Sequence, residues 1–485
     1  MSIFKKSLTG VLGVGISKVL KFVSTFILAY FLGSSDYGIL VICIGILTIS
    51  RIVSSIGLSG GLLRYISTFQ AKGQTEKIKG IIYSSAILVT VLSSLVSLSL
   101  LFFKDAIVKQ FEVDPQVLNL FIFLVPIASL NTLILNFLRA RKDILKQQIL
   151  ANLEIGILIT LILLLSLTSL NVVNAAFAFI LSQVITLIIG FFFIQNIVIR
   201  SVKHMWFSEG FWMVIKYSTP FLLTSIFNLS LTNFDRLLVG YFLKPEAVGV
   251  YGITSQISMQ LNIVLIGIST AIVPFLSQLH INKDYEQVEK IYKAFSYYAV
   301  ILSFPIFLIL FTAPELILSL FGEDFTEGKI TLQILAVAQL FNCMTGPIGA
   351  FYEMVNKAYV SLRSVIIIGI LNISLNAVLI PIYGIIGAAI STGISISLVY
   401  FFLYAMSKRI TGLKLFDSRI LISFLIILGF VVFTMLLSMF INSEIFNLIT
   451  SLIAFFITTY FFLLTKKDKT NIKSLILKNK LEYDI

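Results

Sequence analysis

Seven ionisable side chains fall inside long apolar stretches of the sequence, where such groups are rare. At the centre of a membrane helix a charged group costs about 3 kcal/mol unless it faces water, a partner or a substrate. Charged residues in these positions are therefore the first candidates for a functional site. They are Lys18, Lys21, Arg51, Glu154, Asp235, Arg236 and Glu353.

Four of the seven are cations that could bind an anion. Lys18 and Lys21 lie three positions apart, so their side chains share one face of a helix. With Arg51 and Arg236 they form a candidate site for an anionic headgroup such as a phosphate. Two alternatives stay open, because Arg51 could extend to the lipid headgroups and Asp235 with Arg236 could form a structural ion pair.

The three acidic residues could serve transport in another way. Asp235, Glu154 and Glu353 are candidates for binding a coupling proton or cation, since an intramembrane carboxylate attracts either. Neighbouring lysines could equally neutralise Glu154 and Glu353.

Catalytic motifs are missing from the sequence. It contains no G-x-x-x-x-G-K-[ST] segment, so we expect no ATP hydrolysis by this chain. The predicted outer loops are too short to supply the acidic metal ligands of a membrane glycosyltransferase. Cys43 and Cys343 fall inside apolar stretches, and no spacing resembles a metal site. We expect a protein that is not an enzyme and has no cofactor or metal.

The composition predicts which elements position these residues. Of the 485 residues, 58% are hydrophobic and 12% are charged, with a mean hydropathy of +1.01. Soluble domains are about 25% charged, whereas a bilayer core needs about 20 apolar residues per helix. The sequence therefore predicts an all-α integral membrane protein with about fourteen transmembrane helices. The apolar windows cover residues 8–32, 37–58, 81–103, 117–138, 148–170, 174–196, 213–242, 247–275, 296–318, 330–352, 362–381, 386–406, 420–441 and 445–465.

The positive charges predict the orientation of these helices. Most of the 36 Lys and Arg residues fall in loops on the same side as the N-terminus. Cytoplasmic loops carry this excess in membrane proteins. We therefore expect a multi-pass protein of the cytoplasmic membrane with both termini in the cytoplasm. The Lys residues in predicted outer loops are Lys104, Lys109, Lys244 and Lys329.

An internal repeat divides the chain into two lobes. The segment AYFLGSSDYGI at 29–39 matches GYFLKPEAVGV at 240–250, which pairs Gly38 with Gly249. The repeat predicts two six-helix lobes related by an axis along the membrane normal, with a cavity between them suited to alternating access. The predicted domains are an N-terminal lobe at 1–196, a C-terminal lobe at 213–406, an appended helix pair at 420–465 and a basic cytoplasmic tail at 466–485. The tail could lie on the anionic leaflet or stay in solvent.

Three segments resemble a known family. The chain is similar over its whole length to the polysaccharide-biosynthesis flippases of the multidrug/oligosaccharidyl-lipid/polysaccharide exporter superfamily. The third segment, which contains Asn372, Asn376 and Pro381, is the most specific. The segments are NFDRLLVGYFLKPEAVGVYGITSQI at 233–257, IVPFLSQL at 272–279 and LNISLNAVLIPIYGIIGAAISTGIS at 371–395.

The resemblance implies a transporter with a cationic lumen. Such a protein flips a polyprenyl-diphosphate-linked oligosaccharide from the inner to the outer leaflet for a surface polysaccharide such as O-antigen. The partners to expect are this substrate, membrane lipids and a glycan polymerase or glycosyltransferases, with no nucleic acid. Two alternatives share the fold: an ion-coupled multidrug or metabolite exporter, and a peptidoglycan lipid-precursor flippase. The latter would carry more arginines in its first half than Arg51 and Arg64.

Overall fold

The protein is α-helical, with no strand in the part of the chain that its computed structural model describes. That part comprises residues 3–167, 169–198, 209–230, 234–355, 357–415 and 443–459, with scattered positions between 419 and 436. The helices are α1 (Ile3–Ser55), α2 (Leu58–Ala71), α3 (Thr75–Phe102), α4 (Lys104–Phe111), α5 (Pro115–Ala140), α6 (Ile144–Ser166), α7 (Val172–Val198), α8 (Glu209–Ser230), α9 (Phe234–Phe242), α10 (Pro245–Ser258), α11 (Asn262–Ile281), α12 (Tyr285–Thr312), α13 (Pro314–Ser319), α14 (Lys329–Met344), α15 (Ile348–Met354), α16 (Ala358–Thr411) and α17 (Glu444–Thr458). Short 3₁₀ turns lie at Met259–Leu261 and Glu323–Gly328.

The elements α1 and α16 each consist of two helices joined at a kink, and each element is long enough to cross a bilayer twice. At 1.5 Å per residue, the 53 residues of α1 and the 54 of α16 would each extend about 80 Å, against a core of about 30 Å. Each is bent at a glycine with positive φ, at Gly33 (φ 71°) and Gly384 (φ 59°). A residue with a Cβ atom rarely adopts these angles. The predicted spans 8–32 and 37–58, and likewise 362–381 and 386–406, are therefore joined by kinks.

The described helices confirm an all-α multi-pass membrane protein. Nine segments among the described residues are long and apolar enough to cross a membrane. Four predicted spans are interrupted: 37–58 between α1 and α2, 247–275 by a 3₁₀ turn, 296–318 between α12 and α13, and 330–352 between α14 and α15. Residues 231–233 of the predicted span 213–242 lie outside the description. The tail at 466–485 and most of the predicted span 420–441 also lie outside it. The total of fourteen helices stays a prediction.

The chain forms two compact units. The first, called unit 1, comprises Met1–Ser255, Leu318–Thr331 and Val365–Ser395; unit 2 comprises Gln256–Ile317, Leu332–Ser364 and Ile396–Ile485. In unit 1, buried side chains of α2, α3, α5 and α8 form one hydrophobic cluster around Phe137. In unit 2, a small cluster contains Leu265, Ala299 and Cys343. The lobes at 1–196 and 213–406 and the helix pair at 420–465 stay predictions.

Within unit 1, α1 and α10 cross at two glycines. A Cβ atom on Gly38 would overlap the carbonyl oxygen of Pro245, and one on Gly249 would overlap the carbonyl oxygen of Ser34. Small residues let helix backbones approach this closely. In the repeat alignment, Gly38 matches Gly249 and Ser34 matches Pro245. The crossing, called here the glycine crossing, is therefore reciprocal: each repeat contributes the same two positions.

Candidate functional site

Three of the predicted cations share one electrostatic environment in unit 1. Lys21, in the first arm of α1, is influenced by the charges of Arg236, Arg51 and Glu154. The four residues come from α1, α6 and α9, which lie far apart in the sequence. The Lys21 side chain is exposed and that of Arg51 is half-buried, with its Nε atom buried and lacking a hydrogen-bond partner. This cationic cluster has capacity left for an anion.

Lys18 precedes the cationic cluster along α1. It is one helical turn before Lys21 on α1 and is exposed. Arg236 is held differently, because its Nη2 atom donates a hydrogen bond to Ser255 Oγ at 3.0 Å. Arg236 thus has a fixed guanidinium, whereas Lys18 and Lys21 carry long side chains on an exposed face.

Asp235 lies in a polar cage formed by α9, α10 and α16. Its carboxylate accepts hydrogen bonds from Thr392 Oγ1 at 2.6 Å, Tyr251 OH at 3.1 Å and Asn376 Nδ2 at 3.0 Å. Asn376 also donates to Asn372 Oδ1 at 3.2 Å. All five side chains are buried, and Asp235 is only 3% exposed. A buried carboxylate surrounded by hydroxyl and amide groups suits a proton or a hard monovalent cation.

Glu154 accepts a hydrogen bond from an amide side chain, whereas the sequence left a coupling ion and neighbouring lysines as alternative partners. Gln183 Nε2 donates to Glu154 Oε1 at 2.5 Å, and Asn131 Nδ2 donates to Gln183 Oε1 at 2.7 Å. The charges of Arg51 and Lys21 also act on Glu154. This chain of hydrogen bonds links α5, α6 and α7 and holds the carboxylate beside the cationic cluster.

Glu353 does not share a compact unit with the other candidates. It is an exposed residue of α15 and belongs to unit 2, whereas the other six belong to unit 1.

The sequence interpretation missed four polar residues of these networks. Tyr251 and Thr392 complete the Asp235 cage, and Asn131 with Gln183 completes the Glu154 network. A signal was available for three of them, because Asn131, Gln183 and Thr392 are polar residues within predicted apolar spans. Tyr251 offered none, since a tyrosine in an apolar helix is common.

Comparisons with known proteins agree with this architecture. The family model "Polysaccharide biosynthesis protein" matches residues 3–280, and the model "MatE" matches residues 220–378. A probable low-salt glycan biosynthesis flippase of Haloferax volcanii is 27% identical over 183 residues, covering 38% of this chain and 39% of that protein's length. A putative O-antigen transporter of Shigella flexneri is 22% identical over 82% of this chain and 96% of its own.

Solved structures share the fold. A lipid II flippase MurJ in an inward closed conformation superposes with a TM-score of 0.75 at 14% identity, covering 94% of this chain and 99% of that one. An inward-facing transporter of the multidrug resistance MATE family gives 0.67 at 17% identity, covering 84% and 99%. The first family model covers more than half of the chain. The chain therefore belongs to the polysaccharide biosynthesis protein family.

Proposed function

We propose that this protein flips a polyprenyl-diphosphate-linked oligosaccharide from the inner to the outer leaflet by alternating access, for assembly of a surface polysaccharide. The observation that carries the proposal is the cationic cluster of Lys21, Arg51 and Arg236 inside apolar helices. The names of the relatives as glycan flippase and O-antigen transporter support it.

The chemistry of flipping explains why such a cluster is useful. A diphosphate must leave water while its lipid chain stays in hydrocarbon, and an unpaired charge in a low-dielectric medium is costly. Cations held in the membrane supply the missing counter-charge. A guanidinium such as that of Arg51 can donate two parallel hydrogen bonds to a phosphate. The flexible side chains of Lys18 and Lys21 can follow the headgroup as the helices move.

The same site bears on the two alternatives. An exporter of organic cations needs accessible acidic residues to dominate its binding site, whereas Asp235 is buried and Glu154 is half-buried beside Arg51 and Lys21. The substrate of a peptidoglycan-precursor flippase carries the same diphosphate. That alternative therefore differs from the proposed function only in which sugars are recognised.

A reconstituted system tests the proposal directly. Purified protein in liposomes should flip a fluorescent oligosaccharide attached to a short polyprenyl diphosphate, and should leave a fluorescent organic cation on its original side. Transport of the cation without the glycolipid would contradict the proposal. Flipping of lipid II alone, with no flipping of the oligosaccharide, would favour the peptidoglycan alternative.

The Asp235 cage is proposed as the coupling site of this transporter. Asp235→Asn keeps the shape of the side chain but removes its charge, so binding of a proton or cation should be lost. We expect flipping driven by a Na⁺ or H⁺ gradient to fall at least about tenfold, because one charged hydrogen-bonding group contributes about 1.5–3 kcal/mol. Initial rates in liposomes with each gradient measure this effect.

The matched control for Asp235→Asn is Glu246→Gln, an exposed carboxylate at the start of α10. It should leave gradient-driven flipping unchanged. Retention of full gradient dependence by Asp235→Asn would exclude the coupling role.

We also propose that both termini lie in the cytoplasm. We propose as partners a glycan polymerase or glycosyltransferases that act on the same lipid. In a variant lacking Cys43 and Cys343, Lys109→Cys should react with a membrane-impermeant maleimide on intact cells. Lys142→Cys should react only after the cells are permeabilised. Both side chains are exposed, so access depends on the side of the membrane. The reverse labelling pattern would contradict the orientation.

A further inference from the structure

An apolar cavity lies among α3, α5 and α7 of unit 1, apart from the cationic cluster. Its volume is about 500 Å³, and its lining residues include Tyr83 on α3, Phe137 on α5 and Phe192 on α7. Phe137 at its base is 2% exposed, whereas Ile188 and Phe192 at its mouth are 52% and 57% exposed. The cavity is therefore closed towards the helix bundle and open on the α7 side.

This volume requires an occupant. Protein interiors leave few voids larger than one water molecule, whereas ligand pockets span about 300–1,000 Å³. Water does not fill a cavity that offers it no polar partners. Around a membrane helix, the apolar molecules present at high concentration are lipids. A hydrocarbon chain is thus the chemical species that matches the lining.

Positive charges contact or follow the helices that line the same cavity. Lys146 Nζ at the start of α6 lies 5.8 Å from the ring centroid of Phe193, next to the lining residues Phe192 and Ile194. Beyond Phe137, the end of α5 and the turn that follows it contain Arg139, Arg141 and Lys142. Asp143 is the only acidic residue between positions 138 and 153. Basic residues at the membrane surface attract anionic lipids by about 1 kcal/mol each.

We propose that this cavity binds an anionic phospholipid of the cytoplasmic leaflet, with an acyl chain between α3, α5 and α7 and the phosphate beside Lys146. The polyprenyl-linked substrate is the less suitable occupant. Its diphosphate would be held by the cationic cluster, and none of those side chains lines the cavity. The lipid site does not depend on the proposed flipping activity.

Native mass spectrometry of the full-length protein tests the site. The protein is mixed with phosphatidylglycerol and phosphatidylcholine that have identical acyl chains. We expect the wild type to retain at least about five times more phosphatidylglycerol, since one or two favourable charge contacts separate the lipids. Lys146→Glu should remove this preference, whereas Lys109→Glu, the same charge change on exposed α4, should preserve it.

Two variants test the apolar part. Ala86→Phe adds a ring to the cavity wall, and Ile188→Trp fills the exposed mouth, where a larger side chain leaves the core undisturbed. Both should lower retention of both lipids, and Ile188→Trp keeps the test valid if Ala86→Phe does not fold. The proposal would be overturned if the wild type retained the two lipids equally. It would also be overturned if Lys146→Glu and Ile188→Trp left lipid retention unchanged. Displacement of phosphatidylglycerol by an equal amount of polyprenyl phosphate would also overturn it.

Discussion

Replacing Lys21 and Arg51 with alanine should reduce flipping of the lipid-linked oligosaccharide by at least about 100-fold, because a charge-assisted hydrogen bond contributes about 1.5–3 kcal/mol and each 1.4 kcal/mol is tenfold. The two residues lie on separate arms of α1 and share one electrostatic environment with Arg236. Removing both leaves the Arg236 guanidinium, already bonded to Ser255, and the exposed Lys18 to balance a diphosphate. The measurement is the initial flipping rate in liposomes at matched protein amounts.

Lys109→Ala is the matched control for this double variant, since it removes a positive charge from exposed α4. It should flip the glycolipid at the wild-type rate. The variant Lys21→Ala/Arg51→Lys should flip faster than Lys21→Ala/Arg51→Ala but more slowly than the wild type. Lysine at position 51 returns the charge without the paired donors of a guanidinium. If Lys21→Ala/Arg51→Ala flips normally, the anion-binding role of the cluster is wrong.

Gly38→Val should have the second large effect, by opening the glycine crossing. The added side chain would overlap a backbone carbonyl of α10, which cannot move aside as a flexible side chain would. The two helices must therefore separate, and the close contact of α1 with α10 at the glycine crossing becomes unfavourable. We expect about 5- to 100-fold slower flipping, since overpacking costs about 1–3 kcal/mol and each 1.4 kcal/mol is tenfold. A cysteine at Ser34, which is buried beside the crossing, should become reactive towards maleimide in this variant.

A glycine elsewhere in the helices provides the control. Gly156 in α6 has no atom within 4 Å of an added Cβ, so Gly156→Val should fold and flip normally. Gly249→Val should reproduce the effect of Gly38→Val from the other side of the crossing. If Gly38→Val flips normally and its Ser34→Cys side chain stays unreactive towards maleimide, then the helices do not need to approach closely at the crossing.

Helices were the part of the fold that sequence could predict. A span depends only on a local run of apolar residues, so windows such as 117–138 coincide with α5. The connections were harder, because they depend on backbone angles at single residues. Gly33 lies between two predicted spans, and its non-helical φ and ψ angles separate the two helical arms of α1 there. The first arm of α16 likewise passes through Pro381, and the two arms meet at Gly384.

The candidate site was predictable in its charges but not in its contacts. An intramembrane lysine or aspartate is conspicuous in any apolar stretch, which is why Lys21 and Asp235 could be named from sequence. Their partners come from distant helices, as when Thr392 donates to Asp235 across 157 positions. No local pattern encodes such a contact. The same holds for the apolar cavity, whose lining residues resemble any other membrane-facing surface.

Because each repeat contributes the same two positions to the glycine crossing, the contact can be weak and still form. In a symmetric dimer of separate chains, such a contact is isologous, and its occupancy falls as the protein is diluted. Here both copies of the surface belong to one polypeptide, so the linker sets a fixed effective concentration. A contact made of two glycines and two backbone carbonyls can then be weak and still form in every molecule. That weakness suits the proposed alternating access, in which the two predicted lobes would have to separate in each cycle.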